Sequence, residues 1–152
     1  MKFILSLLLF ITSAQCNAFE ELQSILKHKT APEGIVIEIT SGDKLYLKKI
    51  MPELQADIKA LRARFEKLPV AIVSHAKESL LLSTKNSLKH PELHQQIKSL
   101  SQDDDTAIHV CGTYASWFNI AAEDFPEYIN VSPAGPVQVN DYIELGYLHV
   151  EL

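Results

Sequence analysis

The chain carries a helical spacing of apolar residues along most of its length. From Leu47 to Leu68 apolar residues recur every three or four positions, which predicts the longest helix of the chain. Shorter stretches with similar spacing, one of them closed by a glycine, predict helices at 19–29, 91–100, 113–125 and 136–145. We therefore expect helices throughout the chain after its first eighteen residues.

Runs of β-branched and apolar residues stand between these helices. They predict strands at 35–39, 69–74, 106–111, 128–132 and 147–152. The run at 69–74 is apolar at nearly every position, which is typical of a strand covered on both faces. Because strands alternate with helices, we predict an α/β fold, a three-layer α/β/α sandwich with a mainly parallel sheet of about five strands.

Residues 1–18 differ from the rest of the chain. A basic second residue, an apolar run and then small and polar residues form the pattern of a signal peptide. The apolar run is about half as long as a membrane-spanning helix requires, so we expect no stable membrane span. We predict cleavage after Ala18, or else after Ala14, export to the periplasm, and a single mature domain at 19–152. Lipidation of Cys16 is the alternative.

Composition narrows the possible functions. The chain has 152 residues, 47% of them hydrophobic and 22% charged, which is typical of one globular domain. Its formal net charge is −5, so charge gives no reason to expect nucleic acid as a partner. The sequence contains no Gly-rich phosphate loop, dinucleotide fingerprint or paired-cysteine metal motif. We therefore expect neither a cofactor nor a bound metal.

The spacing of the histidines along the sequence does not predict a metal site. His90 and His94 lie four residues apart at a helix start, but no third ligand accompanies them. We interpret both as solvated helix surface. His109 and His149 lie within predicted strands, and we expect them to be hydrogen-bonded residues of the sheet.

Two side chains with reactive groups lie at the ends of neighbouring predicted strands. Cys111 ends the strand at 106–111, and His75 follows the strand at 69–74. Ligands of open α/β sheets bind at the carboxyl edge, so we predict that His75 acts as acid, base or anion partner of Cys111. The helix start after Cys111 would favour its thiolate. The alternatives are a buried structural thiol and an exposed loop histidine.

Small and polar residues beside these strand ends are expected to line a pocket around the thiol. They are Ser41, Gly42, Gly112, Thr113, Tyr114, Ser132 and Gly135. Trp117 follows Cys111 at helical spacing. We interpret it as core between helix and sheet. A wall of the thiol pocket and a subunit contact are the alternatives.

Four segments carry a family resemblance. They are the helix LKKIMPELQADIKALRARF, the strand with His75 VAIVSHAKES, the strand with Cys111 AIHVCGTYASWFNI, and the ending GPVQVNDYIELGYLHVEL. On these segments the stretch from Ile35 to the C-terminus resembles the DsrE/DsrF-like family, small α/β proteins associated with sulfur relay. The resemblance implies a DsrE-like sandwich.

The resemblance also implies an activity and partners. Cys111 would carry a persulfide and pass its outer sulfur on, as a sulfur carrier or sulfurtransferase between a sulfur donor protein and a sulfur acceptor protein. Homo-oligomers are implied as well. Phe118 and Asn119 stand where many relatives have a basic residue and glycine; Asn119 suits a left-handed backbone, and Phe118 suits a buried interface. The alternative is a non-catalytic binding or assembly module with a structural Cys111.

Overall fold

The computed structural model describes residues 16–102 and 106–152, with side chains from Phe19 onward. Most of the predicted signal peptide lies outside these residues. So does the acidic triplet Asp103–Asp105, which the sequence predicts to form an exposed turn. The helices are α1 (Cys16–Ile25), α2 (Tyr46–Arg64), α3 (Pro91–Ser101), α4 (Gly112–Ser116) and α5 (Gly135–Glu144). The strands are β1 (Ile35–Ile39), β2 (Val70–Ser74), β3 (Thr106–Cys111), β4 (Asn130–Ser132) and β5 (Leu148–Glu151).

The strands form one sheet in the order β4-β3-β2-β1-β5. Every neighbouring pair is parallel, so the sheet is wholly parallel where the sequence predicted a mainly parallel one. This sheet with its helices confirms the predicted α/β sandwich. Strands β1 to β4 follow one another across the sheet, whereas β5 returns to the other side of β1.

The two faces of the sheet are covered differently. The face that carries Ile37 packs beneath α1, α2 and α3 and holds most of the buried apolar side chains. The opposite face carries Val36 and Val73 and packs against Val139 of α5. Because β2 is enclosed on both faces, all of its residues are buried, which explains its unbroken apolar run.

Two helices end earlier than predicted. α2 stops at Arg64, because Phe65 is extended and Lys67 has a positive φ of 56°. α1 stops at Ile25, where the amides of Lys27 and His28 make turn bonds to residues three positions back. Within residues 16–102 and 106–152, no helix is both long and apolar enough to cross a membrane.

The predicted helix at 113–125 is wrong. α4 forms a single turn and ends at Ser116, and a separate 3-10 turn follows at Ala122–Asp124. Between them Asn119 has a φ of 54°, a left-handed conformation that a helix cannot continue through. The prediction that Asn119 meets a need for positive φ is thereby confirmed.

The predicted environments of Trp117 and His94 are also wrong. Trp117 is 70% exposed, since α4 ends one residue before it and does not carry it into the core. His94 is buried rather than solvated. Its Nδ1 lies 2.9 Å from the Tyr128 hydroxyl, and its Nε2 lies 2.9 Å from the Leu81 carbonyl oxygen. These partners come from segments before and after α3, so the spacing within the helix could not reveal them.

Candidate functional site

Cys111 lies at the carboxyl end of β3, directly before α4. Its side chain is nearly enclosed, with 6% of the residue exposed. The sulfur accepts a hydrogen bond from the Tyr114 backbone N–H at 3.3 Å. Because α4 has only five residues, the helix dipole that was expected to favour the thiolate is reduced to this one amide.

Backbone contacts join the ends of β3 and β4 beside the thiol. Cys111 is paired in register with Ser132. The amide and the hydroxyl of Thr113 both donate to the Pro133 carbonyl oxygen, at 3.2 and 2.7 Å. A Cβ on Gly112 would lie 3.2 Å from the Ser132 carbonyl oxygen. Gly112, Thr113 and Ser132 therefore hold the two strand ends together next to Cys111.

An aromatic cluster covers the start of α4. The Tyr114 ring lies 5.5 Å from the Trp117 ring and 5.3 Å from the Phe118 ring, measured between centroids, and both pairs are tilted. Trp117 and Phe118 both remain exposed. The residues that follow the thiol thus present aromatic surface to solvent, and the backbone amide of Tyr114 faces the sulfur.

His75 is held by a carboxylate that the sequence analysis did not single out. Its Nε2 lies 2.6 Å from Oε1 of Glu38 on β1, and the other oxygen of Glu38 lies 2.6 Å from Nε2 of His149 on β5. Each imidazole donates an N–H to this carboxylate, because an ionised carboxylate can only accept. The one available signal was a charged residue within the otherwise apolar run of β1.

The ring of His75 also packs against the start of α5. A Cβ on Gly135 would lie 2.3 Å from the Cβ of His75 and 2.6 Å from its Cγ, so glycine is required for this close approach. The backbone N–H of His75 donates to the Ile39 carbonyl oxygen at 3.2 Å. The imidazole is therefore fixed by β1 and by α5.

His75 and Cys111 lie next to each other along the edge of the sheet. Ser74 and Val110 are register partners, and His75 and Cys111 directly follow them. Neighbouring strands are about 4.8 Å apart, so the two backbones approach closely here. In the described part of the chain, the sulfur bonds only to the Tyr114 amide and the His75 ring only to Glu38.

A second imidazole lies beside the thiol on β3. Nδ1 of His109 lies 2.9 Å from the Ser132 hydroxyl and Nε2 lies 2.9 Å from the Tyr142 hydroxyl. Ser132 in turn donates to the Gln138 side-chain oxygen at 2.9 Å. Burial lowers the pKa of His109 and raises the pKa of Tyr142. The neutral ring therefore donates to Ser132 and accepts from Tyr142, which confirms the expected hydrogen-bonded sheet residue.

Ser41 and Gly42 have different surroundings at the end of β1. The Ser41 amide donates to a side-chain oxygen of Glu78 at 2.9 Å, so its backbone belongs to a structural contact. A Cβ on Gly42 would meet no atom within 4 Å. Gly42 thus borders open space, whereas Gly135 and Gly112 lie against their neighbours.

The remaining features lie away from the thiol. A hollow of about 300 Å³ between α2 and α3 is lined by Gln55, Ile58, Lys59, Arg62, Ser99 and Leu100. It lies at the amino edge of the sheet, because Arg62 donates to the Thr106 hydroxyl at the start of β3. Among residues 16–102 and 106–152, no three His, Cys, Asp or Glu side chains are grouped so that they could hold a metal ion.

Comparisons with known proteins support the fold. No protein-family model and no curated protein matches the chain. A solved structure, the protein of unknown function MTH1491 from Methanobacterium thermoautotrophicum, matches with a TM-score of 0.60 and 12% sequence identity. The match covers 78% of this chain and 97% of the other. At this identity the similarity concerns the fold alone.

Proposed function

We propose that the protein is an exported sulfur carrier of the DsrE/DsrF type that holds sulfur as a persulfide on Cys111. The observation that carries the proposal is a thiol at the carboxyl edge of a parallel sheet whose sulfur accepts an amide hydrogen bond. Such a bond favours the thiolate, which is the nucleophilic form of cysteine. The resemblance of the four segments supports the assignment, and the apolar run at the N-terminus supports export to the periplasm.

The reaction is a transfer of one sulfur atom without net oxidation. The Cys111 thiolate attacks the outer sulfur of a donor persulfide, R–S–SH. The S–S bond of the donor breaks as a new S–S bond to Cys111 forms, and the donor leaves as the thiolate R–S⁻. The thiolate of an acceptor protein then attacks the outer sulfur on Cys111, which returns Cys111 to its thiolate.

The burial of Cys111 suits a persulfide better than an exposed thiol would. An S–S bond is about 2.05 Å long, so the outer sulfur of a persulfide lies that distance from the cysteine sulfur. Because 6% of Cys111 is exposed, an outer sulfur that extends through this opening would reach the surface while the inner sulfur stays shielded. Shielding directs an incoming thiolate to the outer sulfur, which is the atom to be transferred.

The test is the intact mass of the protein purified from the periplasm without reductant. It is recorded before and after brief exposure to polysulfide, with peptide mapping of any added mass. We expect whole sulfur atoms on Cys111 that a small thiol removes. The same spectrum gives the N-terminus, and a mass that retains residues 1–18 contradicts export with cleavage.

The matched control is Cys111→Ser. Serine is a good residue at a helix start and can accept the Tyr114 amide, so this variant folds but takes up no sulfur at position 111. An unmodified Cys111 in the wild type contradicts the proposal. Sulfur loading that persists in the variant contradicts it as well.

A second function, a non-catalytic assembly module, is favoured by exposed apolar side chains. Trp117 and Phe118 after α4, and Val137 and Leu145 on and after α5, are large and exposed. Such side chains are typical of surfaces that meet another protein, here a second copy of the chain. Trp117→Lys would then lower the mass of the assembly measured by sedimentation. Leu88→Lys, at another exposed position, would leave that mass unchanged. A monomeric wild type rules this function out.

A further inference from the structure

We propose that Glu38 is a positioning residue that holds His75 in a single tautomer, with His75 Nδ1 as the proton acceptor of the Cys111 thiol. The inference rests on the proposed function and deepens it. It starts from the short contact between Glu38 Oε1 and His75 Nε2 at 2.6 Å. A histidine beside a cysteine is useful as a base only when the nitrogen that carries a lone pair is the one that faces the sulfur.

The carboxylate fixes which nitrogen that is. Both side-chain oxygens of Glu38 are engaged by imidazole nitrogens, Oε1 by His75 and Oε2 by His149. Since a carboxylate accepts only, the hydrogen of neutral His75 must lie on Nε2 and the lone pair on Nδ1. Among the described residues, the hydrogen bond of the His75 ring is made by Nε2, and none is made by Nδ1.

Two further contacts keep the ring from turning. The start of α5 lies against one side of the imidazole, where a Cβ on Gly135 would lie 3.1 Å from Cδ2. The backbone of His75 is fixed by its bond to Ile39. The ring is thus bonded at Nε2 and packed against α5, and Nδ1 is the ring nitrogen that makes no hydrogen bond.

The proton then follows a short cycle. The Cys111 S–H proton passes to Nδ1, giving the thiolate and an imidazolium whose Nε2–H still donates to Glu38. After the thiolate has taken the outer sulfur of R–S–SH, the imidazolium returns its proton to the departing thiolate R–S⁻. No oxidant or reductant is consumed. The negative charge of Glu38 stabilises the imidazolium while it exists.

The experiment combines imidazole nitrogen NMR with the rate of Cys111 alkylation by iodoacetamide at neutral pH. In the wild type we expect His75 as the Nε2–H tautomer. Glu38→Gln should remove that preference and slow alkylation about tenfold, less than the roughly hundredfold or more that loss of the base itself costs. In a His75→Gln background, Glu38→Gln should change the rate less than about twofold, because a positioning residue acts only through its partner.

His149→Gln is the matched control, because it removes the other partner of the same carboxylate. It should leave the His75 tautomer unchanged and the alkylation rate within about twofold. An Nδ1–H tautomer of His75 in the wild type overturns the inference without any variant. An unchanged rate in Glu38→Gln, or an equal loss in the His75→Gln background, also overturns it.

The result of the alkylation experiment on Glu38 can be separated from the result of the sulfur-loading experiment. A Cys111 that takes up sulfur from polysulfide but alkylates equally fast in wild type and Glu38→Gln overturns the role of Glu38 and leaves the carrier function standing. A Cys111 whose alkylation depends on Glu38 but which takes up no sulfur supports the role of Glu38 and overturns the carrier function.

Discussion

The carboxylate of Glu78 accepts a hydrogen bond from the Ser41 backbone amide at 2.9 Å, across 37 residues of sequence. Its other oxygen accepts from the Ser74 hydroxyl and from the Ala76 amide, both at 3.0 Å. The side chain is fully buried. His75 lies between two of these three donors, so Glu78 fixes the segment from which the imidazole projects.

Replacing Glu78 should loosen this segment. In Glu78→Gln one acceptor oxygen becomes an NH₂ group, so at least one buried donor loses its partner, and we expect a loss of about 1–3 kcal/mol in the free energy of unfolding. Urea unfolding measures it. Glu127→Gln, at an exposed position, is the control and should change stability by less than about 0.5 kcal/mol. Equal stabilities of the two variants would show that the three bonds contribute little.

Two glycines at the same edge of the sheet provide a matched pair. Gly135→Ala puts a methyl group into the space of the His75 side chain, whereas Gly42→Ala puts one into open space. We expect Gly135→Ala to displace the imidazole, change its NMR signals and cost about 1–3 kcal/mol. Gly42→Ala should leave the His75 NMR signals and the free energy of unfolding unchanged. Unmoved His75 signals in Gly135→Ala would contradict the close approach.

His109 should make stability depend on pH. Burial lowers its pKa in the folded state below 6.5, the value expected when unfolded. As the pH falls below 6.5, the unfolded chain takes up this proton first, so stability is lost, at most by about 1.4 kcal/mol per pH unit. The measurement compares unfolding of wild type and His109→Gln from pH 7.5 to 5, a range of about two and a half units. If the free energies of unfolding of wild type and His109→Gln change in parallel with pH, His109 is not a source of this loss.

Asp57 should make the stability depend on pH in the opposite direction. It is buried on α2, Gln23 donates to one of its oxygens, and the other oxygen has no partner among the described residues. Burial raises the pKa of Asp57 above 3.8, so the folded state disfavours its charge at neutral pH. Asp57→Asn should therefore stabilise the protein by on the order of 1 kcal/mol at pH 7, and the gain should shrink as the pH falls and vanish below 3.8.

The control for Asp57 is Asp141→Asn, at an exposed position of α5. It should leave the free energy of unfolding unchanged at both pH values. A destabilised Asp57→Asn at pH 7 would mean that the charge makes a favourable interaction in the folded protein.

The sequence predicted the sheet and the placement of Cys111 beside His75 for a physical reason. Apolar runs locate buried strands, and the ends of parallel strands meet at one edge, so Cys111 and His75 could be placed together. Glu38 could not be predicted, because its partners, His75 directly after β2 and His149 on β5, lie 37 and 111 residues away. The same holds for Glu78, which joins the ends of β1 and β2.

The errors have a common origin as well. The spacing of apolar residues predicted that the helix after Cys111 continues through Trp117. That spacing carries no information about the left-handed backbone conformation at Asn119. The prediction for His94 failed since its partners lie on other segments. In both cases a contact or a backbone angle outside the periodic pattern decided the environment.

The position of β5 has a consequence for the order of folding. Strands β1 to β4 can each be added beside the preceding one as the chain lengthens, but β5 must return to β1 across more than a hundred residues. Closing so long a loop is entropically costly and slow. We therefore expect β5 to dock last, so that an incomplete chain presents an open β1 edge on which a chaperone can act. His149 would then reach Glu38 only in the final step.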